Sequence, residues 1–223
     1  MNNVYENNMR FLPFLKFLDR YKLLLISILI AVIITVIYFV ASNKIQQTKN
    51  EKASILYNDW IEEISKEIPN SEKLDNILET LLDSYNKTGY LKLALLSKAN
   101  LDAKSNNLEE ALVNFNQIIN LTDGFNGNKV FNKIARVSAS RILLSLDNYD
   151  EALAMIEKYS LSNTNAYIHE LTGDILLKQE KTNLAKDQYE MALVKYSDQT
   201  SKSIVTMKIS NIGLKKFSLL IDQ

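Results

Sequence analysis

The chain has 223 residues, 47% of them hydrophobic and 23% charged, so it is long enough to bury one or two cores. Its 26 basic and 26 acidic residues cancel, which argues against nucleic acid as a partner, and the absence of cysteine excludes disulfides, thiolate catalysis and cysteine metal sites. Five glycines and two prolines leave little turn chemistry for a β fold. We therefore predict an all-α protein.

The first strong signal along the chain is an apolar run. Residues 23–41, LLLISILIAVIITVIYFVA, carry no charge. At about 1.5 Å per residue, a helix of this length is just under the roughly 30 Å of bilayer hydrocarbon, so we predict a transmembrane helix that contacts the lipid bilayer through residues 23–41. A cleaved signal peptide is the alternative. Against it, the run exceeds the usual apolar region, and Tyr38, Phe39 and Val40 stand where small residues are expected.

Basic residues flank the run on both sides, with a slight excess before it: Arg10, Lys16, Arg20 and Lys22 precede it, and Lys44, Lys49 and Lys52 follow. A short basic N-terminus stays inside, whereas a long C-terminal domain crosses regardless of its charge. We predict a cytoplasmic tail over residues 1–22, a juxtamembrane linker over 42–52 that can continue the helix, and a periplasmic repeat domain over 53–223.

Two helices are predicted at the start of that domain. Pro69 ends the first, and Asn70 or Ser71 caps the second. The apolar face of the first holds Tyr57 and Trp60, which we interpret as core residues rather than as a contact surface. The stripe of the second is formed by Leu74, Ile77, Leu78, Leu81, Leu82 and Tyr85. These helices form an atypical terminal pair that covers the first repeat.

A small residue then recurs at a regular spacing. Ala152 and Ala185 lie 33 positions apart, and Ala111 lies 41 positions before Ala152. A period in the low thirties with one insertion is typical of stacked helix pairs. We predict three pairs, over residues 90–121, 129–160 and 164–196, with the insertion at 122–128. A closing helix over 201–221 is expected to pack against the third pair through Ile204, Met207, Lys208 and Ile209.

This pattern resembles the tetratricopeptide repeat, in which a first helix with a small residue near its middle precedes a second helix that carries alanine and then an aromatic residue. The best copy contains Gly173-Asp174-Ile175-Leu176-Leu177, followed by Ala185 and Tyr189. Asp102 departs from the repeat, which would place an apolar residue there. The resemblance implies a fold with a single N-terminal transmembrane helix followed by a tetratricopeptide-like α-solenoid.

The whole architecture is similar to the YfgM-like ancillary subunit of the bacterial SecYEG translocon. The most specific points are Ala139-Ser140-Arg141, the Gly173 segment, and Met207-Lys208-Ile209-Ser210-Asn211. The resemblance implies a single-pass protein of the bacterial inner membrane, with a cytoplasmic N-terminus and a periplasmic repeat domain. The implied partners are SecYEG, a membrane-anchored chaperone of the peptidyl-prolyl isomerase type, and nascent secreted or outer-membrane proteins. A scaffold for envelope assembly or cell division remains the alternative.

No combination of residues in the sequence predicts catalysis. His169 is the only histidine, which leaves no members for a histidine metal site or a Ser/His/Asp triad, and we interpret it as solvated or at a groove edge. No glycine-rich phosphate motif occurs. The adjacent carboxylates Glu62-Glu63 and Glu109-Glu110 are interpreted as solvated surface, since consecutive helical residues do not share a face. We predict no enzyme activity, no cofactor and no metal.

The candidate functional site is therefore a protein-binding surface. In stacks that resemble tetratricopeptide repeats, the first helix of each pair lines the concave side. Arg141 is the preferred candidate because it falls on a family-specific point, although it could instead pair with a carboxylate inside the stack. The full set of predicted concave-face residues is Asn100, Lys104, Arg141, Glu170, Asp174 and Lys178.

Overall fold

A computed structural model describes residues 3–125, 127–160 and 165–221, and their side chains over 14–125, 127–159 and 165–212. These residues form nine α-helices and no strand, which confirms the all-α prediction. The predicted start of the third pair, Thr164, lies outside the described residues. The helices are α1 Asn3–Ile64, α2 Ser71–Tyr85, α3 Gly89–Lys104, α4 Leu108–Thr122, α5 Lys129–Ser145, α6 Tyr149–Ser160, α7 Ala166–Lys178, α8 Thr182–Lys195 and α9 Gln199–Ile221.

The chain divides into two compact units, Met1–Leu56 and Tyr57–Gln223. The first unit is helical throughout its described part, and α1 continues through residues 42–52 without a break. Among the described helices, α1 is long and apolar enough to cross a membrane, with a mean hydropathy of 3.1 over 18 residues, none of them buried. The hydroxyls of Ser27 and Thr35 donate to the carbonyls of Leu24 and Ala31, so both are satisfied within the helix.

The second unit begins with the end of α1 and with α2. α1 ends at Ile64, ahead of the Pro69 boundary that the sequence predicts. The carboxylate of Glu63 accepts the backbone N–H of Asn70 at 3.1 Å, and Asn70 in turn caps α2 by accepting the N–H of Lys73, as predicted. Trp60 is fully buried, which confirms its place in the core.

The three predicted pairs are α3 with α4, α5 with α6, and α7 with α8, and each helix packs against the next along the chain. The same turn joins the two helices of every pair. Asn106, Asp147 and Glu180 adopt the left-handed region with φ of 61°, 61° and 62°, at spacings of 41 and 33 residues. The N–H of the next residue bonds the carbonyl five positions back at 2.9 Å in all three turns.

The core follows the repeat pattern. Ala111, Ala152 and Ala185 are fully buried on the second helices, as the spacing predicts. In the third pair, Gly173 of α7 faces Tyr189 of α8 so closely that a Cβ on Gly173 would lie 2.6 Å from Tyr189 Cε1. Glycine at this position therefore permits the large aromatic ring to enter the core between the two helices.

Asp102, which departs from the repeat pattern, is buried in α3 without breaking the first pair. Its Oδ1 accepts Lys98 Nζ at 2.8 Å, and its Oδ2 accepts Asn114 Nδ2 of α4 at 3.0 Å. The carboxylate is thus satisfied on both oxygens, which is the condition for burying it. The polar contact to Asn114 joins α3 to α4 where other copies use apolar packing.

The closing helix α9 packs on the third pair, but its buried face differs from the prediction. Val205 and Ile212 are buried in a cluster with Ala185 and Tyr189, and Ile209 lies partly buried beside them. Ile204 and Met207 are exposed instead, so their predicted packing is wrong. The predicted buried face of α9 is displaced by about one residue from the observed one, because a helix with many aliphatic positions has more than one plausible apolar stripe.

Candidate protein-binding face

The first helices of the three pairs, α3, α5 and α7, lie side by side, since α5 contacts both of the others. The left-handed turn residues give a common frame for comparing them. Positions 13, 6 and 2 residues before the turn fall on one stripe of each helix, because they are separated by seven and then four residues. We call the surface formed by these stripes the first-helix face.

One end of the first-helix face is apolar in all three pairs. Leu93, Ile134 and Tyr167 occupy the position 13 residues before the turn, and their exposed fractions are 36%, 41% and 37%. A large, partly exposed side chain therefore recurs at the same place on three neighbouring first helices, and we call these three residues the apolar row. Such a row can bury side chains of a partner segment.

The polar part of the face contains the residues predicted from the sequence. Asn100, Arg141 and Asp174 share the position six residues before the turn, and Lys104 and Lys178 share the position two residues before it. Asn100, Lys104, Arg141 and Lys178 are exposed. Four of the six predicted side chains are therefore open to a partner.

Among the described residues, Arg141 has no ion pair with a carboxylate inside the stack, which was its alternative role. Its charge acts on the hydroxyl of Tyr167 of α7. Burial raises the pKa of the Tyr167 hydroxyl, and the positive charge of Arg141 acts against this rise. Arg141 thus lies beside the apolar row, where a cation and an apolar surface are available together.

Glu170 and Asp174 differ from the other four predicted residues, because Lys208 of α9 forms ion pairs with their carboxylates. Lys208 Nζ lies 2.7 Å from Glu170 Oε1 and 2.7 and 2.8 Å from the two oxygens of Asp174. Tyr196 donates its hydroxyl to Glu170 Oε2 at 2.6 Å, and Tyr189 donates to Asp174 Oδ1 at 2.7 Å. All four carboxylate oxygens are thereby bonded within the domain. We call this group the α9 cluster.

The charges of the α9 cluster depend on one another. Burial opposes the charged form of Lys208, but its bonds to Asp174 and Glu170 outweigh burial and raise its pKa. The pKa values of Tyr189 and Tyr196 are also raised. Burial is the larger cause for both, and the second is the hydrogen bond to Asp174 for Tyr189 and to Glu170 for Tyr196. At neutral pH Lys208 is therefore an ammonium, and Tyr189 and Tyr196 are neutral hydroxyls.

Two polar residues are buried, although the sequence placed Glu63 in solvent and His169 in solvent or at a groove edge. His169 lies within α7, and its Nδ1 is 2.8 Å from Gln188 Oε1 of α8, so it bridges the two helices of the third pair. Glu63 is also buried, with Lys66 and Lys73 at 2.7 and 2.9 Å. The prediction of solvated surface is wrong for Glu63, and His169 is not solvated, because an acceptor or cation on a neighbouring element replaces water. Glu109 and Glu110 are exposed, as predicted.

The described residues contain no group of three His, Asp or Glu side chains arranged to hold a metal ion. A shallow open depression of about 530 Å³ lies at the turn edge of the second and third pairs, lined by residues that include Asp150 and Lys181. Gln179 Nε2 donates to Asp150 Oδ1 across it at 2.7 Å. The depression is therefore spanned by a bond that joins the second pair to the third.

Sequence reasoning missed part of the face and one of its main contacts. The apolar row was not recognised, although counting back from the turns would have aligned Leu93, Ile134 and Tyr167. Lys208 was assigned to packing, yet it forms ion pairs with two of the predicted site residues. Two of the motifs that support the family resemblance, the Gly173 segment and the Met207 segment, meet in this contact.

An exposed stripe repeated on neighbouring first helices is typical of a helical-repeat scaffold for protein interaction. A family model for the tetratricopeptide repeat-like domain matches residues 16–214. The chain belongs to this family, whose domains are typically non-catalytic interaction modules. No curated protein and no solved structure matches the chain.

Proposed function

We propose that the chain is a membrane-anchored ancillary subunit of the Sec translocon, with its repeat domain on the periplasmic side of the bacterial inner membrane. In this role it binds proteins that leave the channel, together with a membrane-anchored chaperone of the peptidyl-prolyl isomerase type. The observation that carries the binding function is the first-helix face, with its apolar row beside Arg141. The resemblance to the YfgM-like subunit supplies the identity of the partners.

Two further features support membrane anchorage. The run 23–41 lies in a helix that is long and apolar enough to cross a bilayer. The basic residues before it favour a cytoplasmic N-terminus. A single anchor of this kind keeps the repeat domain near membrane-embedded partners, which raises its effective concentration for them.

The test is a native pull-down of the full-length chain from mildly solubilised membranes, with co-purifying proteins identified by mass. We expect SecYEG and an anchored isomerase to be recovered. The variant Arg141→Glu should lose them, because it reverses the charge beside the apolar row. Lys87→Glu is the matched control, since Lys87 is exposed but lies outside the first helices.

Three results would count against the proposal. Absence of every Sec component from the wild-type preparation would remove the translocon role. Recovery of cell-wall or outer-membrane assembly proteins in their place would support the envelope scaffold. Equal recovery with Arg141→Glu and Lys87→Glu, both folded by circular dichroism, would place the contact away from the first-helix face.

A further inference from the structure

A second charged surface lies outside the first-helix face, where α5 begins and α6 ends. Its centre is the buried side chain of Asn132 on α5. Asn132 Nδ2 donates to the Ile119 carbonyl and to Thr122 Oγ1 of α4, at 3.3 and 3.1 Å. These bonds fix the amide, so its Oδ1 points away from α4 as a single neutral acceptor.

Three donors converge on that one oxygen. Arg136 Nε lies 3.1 Å from Asn132 Oδ1, Lys158 Nζ lies 2.8 Å from it, and the Tyr159 hydroxyl lies 3.1 Å from it. Lys133 adds a third cation, with its Nζ 5.7 Å from the centre of the Tyr159 ring, while Lys158 Nζ is 5.2 Å from the same ring. We call Lys133, Arg136 and Lys158 the cation cluster.

The cation cluster is only partly neutralised. Asp123 is the one carboxylate with a described ion pair to it, at 3.9 Å from both Arg136 and Lys158, and its side chain is 62% exposed. The Arg136 side chain is 19% exposed, and its Nε bond uses one of five N–H donors. Among the described contacts, one carboxylate at 3.9 Å faces three cations, which leaves an excess of positive charge that suits a phosphoryl oxyanion.

Apolar side chains are exposed next in sequence to these charges. Phe125, two residues after Asp123, is fully exposed, and Val130 in the first turn of α5 is largely exposed. The adjoining Lys129 is also exposed. Basic side chains combined with an exposed aromatic ring are typical of surfaces that bind at the interface of an anionic bilayer.

We propose that the cation cluster binds the phosphate headgroups of anionic phospholipids, with Phe125 entering the interface beside them. This inference rests on the proposed membrane anchorage, because the anchor keeps a bilayer within reach of the domain. An acidic protein segment is the alternative ligand for the same charges. The exposed ring and the membrane-anchoring helix of the same chain favour lipid.

The experiment uses the full-length chain in nanodiscs of phosphatidylcholine alone and of phosphatidylcholine mixed with phosphatidylglycerol. Hydrogen exchange is measured over residues 127–136 and 154–159. We expect exchange about fivefold slower in the anionic discs, corresponding to the attraction of roughly one basic side chain to an anionic surface. The double variant Lys133→Gln/Lys158→Gln should abolish the difference, and Lys87→Gln/Lys186→Gln should keep it.

A second variant is expected to increase the lipid-dependent protection, a result that misfolding would not produce. Asp123→Asn removes the carboxylate that the described ion pairs place beside the cluster, so it should increase the lipid-dependent protection. Circular dichroism and the urea midpoint establish that each variant is folded. Arg136 is left unchanged because its side chain is largely buried.

Several outcomes would overturn the inference. Equal exchange in the two kinds of disc, or protection that survives in the double variant, would exclude headgroup binding. If inorganic phosphate reproduced the protection in phosphatidylcholine discs, the cluster would be a small-oxyanion site. If the double variant lost a co-purifying protein without a lipid effect, the cluster would be a protein contact.

A different result would separate this inference from the proposed anchorage. If the chain did not insert but phosphatidylglycerol vesicles still sedimented it, the anchorage would be contradicted and lipid binding by the cation cluster would be supported.

Discussion

At the residue scale, the third pair depends on a close approach between Gly173 and Tyr189. The ring of Tyr189 fills the space that a side chain on Gly173 would need. Its hydroxyl then reaches Asp174, which also binds Lys208 of α9. One glycine thus links core packing to the α9 cluster.

Replacing this glycine should destabilise the domain. Gly173→Ala gains up to about 1 kcal/mol of helix propensity, but overpacking against the Tyr189 ring costs about 1–3 kcal/mol. We expect a net loss of about 1 kcal/mol in the free energy of unfolding by urea. Gly89→Ala is the control, because a Cβ there meets nothing within 4 Å. Equal unfolding midpoints for the two variants would contradict the tight approach.

Glu63 is a second residue whose role depends on its partners. Hydrogen bonds from Lys66 and then Lys73, with the N–H of Asn70, lower its pKa from 4.5 to about 2. A carboxyl group whose pKa is lowered by folding stabilises the protein above its unfolded pKa. That contribution is lost as the pH falls from about 4.5 towards about 2.

Glu63→Gln should therefore lower the thermal midpoint at pH 6, and the difference from wild type should shrink as the pH approaches 2. Glu62→Gln is the matched control, since Glu62 is exposed and adjacent. We expect little effect from it at either pH. A difference for Glu63→Gln that stays constant between pH 6 and pH 2 would show that the ionised carboxylate is not the stabilising form.

At the element scale, α9 closes the stack through two kinds of contact. Val205, Ile209 and Ile212 supply apolar packing against α8. Lys208 supplies the bond to α7, so α9 holds both helices of the third pair. In the same contact Lys208 pairs with the carboxylates of Glu170 and Asp174, and its single positive charge offsets one of their two negative charges. The positive charges of Lys104, Arg141 and Lys178 then exceed the one negative charge that remains in this contact.

Lys208→Met should weaken the docking of α9. The change leaves Glu170 and Asp174 without their cation, which we expect to cost about 1–3 kcal/mol. Amide exchange measured by mass spectrometry should accelerate in α9, while α3 to α6 are unchanged. Lys202→Met, on the same helix, is the control. Uniform acceleration across all helices would show instead that α9 is not a separable element.

Alkaline pH should have a related effect on the wild type. The pKa values of Lys208, Tyr189 and Tyr196 are all raised by folding. Their contribution is complete below the unfolded values of 10.0 for tyrosine and 10.5 for lysine, and it is lost as the pH rises above them. The expected loss of α9 protection above pH 10 should be absent from Lys208→Met/Tyr189→Phe/Tyr196→Phe.

At the scale of the whole molecule, the chain combines an apolar helix with a separate compact repeat unit. The second unit, Tyr57–Gln223, has its own buried clusters around Ala152 and Ala185. Its core therefore does not depend on the apolar run. Under the proposed function, protein binding and the membrane anchor belong to different parts of the chain, which permits a direct test by truncation.

Deleting residues 1–52 should release the repeat domain from membranes. We expect the truncated chain to leave the carbonate-resistant membrane fraction, in which the full chain remains, and to keep its helical circular dichroism. Its urea midpoint should match that of the full chain in detergent. Retention of the truncated chain in the resistant fraction would show that the apolar run is not the anchor.

Much of the fold is predictable because it is encoded in local, periodic patterns. The spacing of Ala111, Ala152 and Ala185 determines the number of pairs, and an uncharged run such as 23–41 is apparent from composition alone. Asn70 as the cap of α2 follows from its position before an apolar stripe. The first helices, and with them the six candidate binding residues, also follow from the repeat frame.

Only the tertiary structure decided which polar groups meet. Lys208 finds its carboxylates 34 and 38 residues earlier, and Lys158 finds Asn132 26 residues earlier. Such contacts depend on the rotation of each helix about its own axis, and a shift of one residue turns a side chain by about 100°. Sequence periodicity does not determine that rotation closely enough. This is why Ile204 and Met207 were placed in the core, why Glu63 was placed in solvent, and why His169 was placed in solvent or at a groove edge.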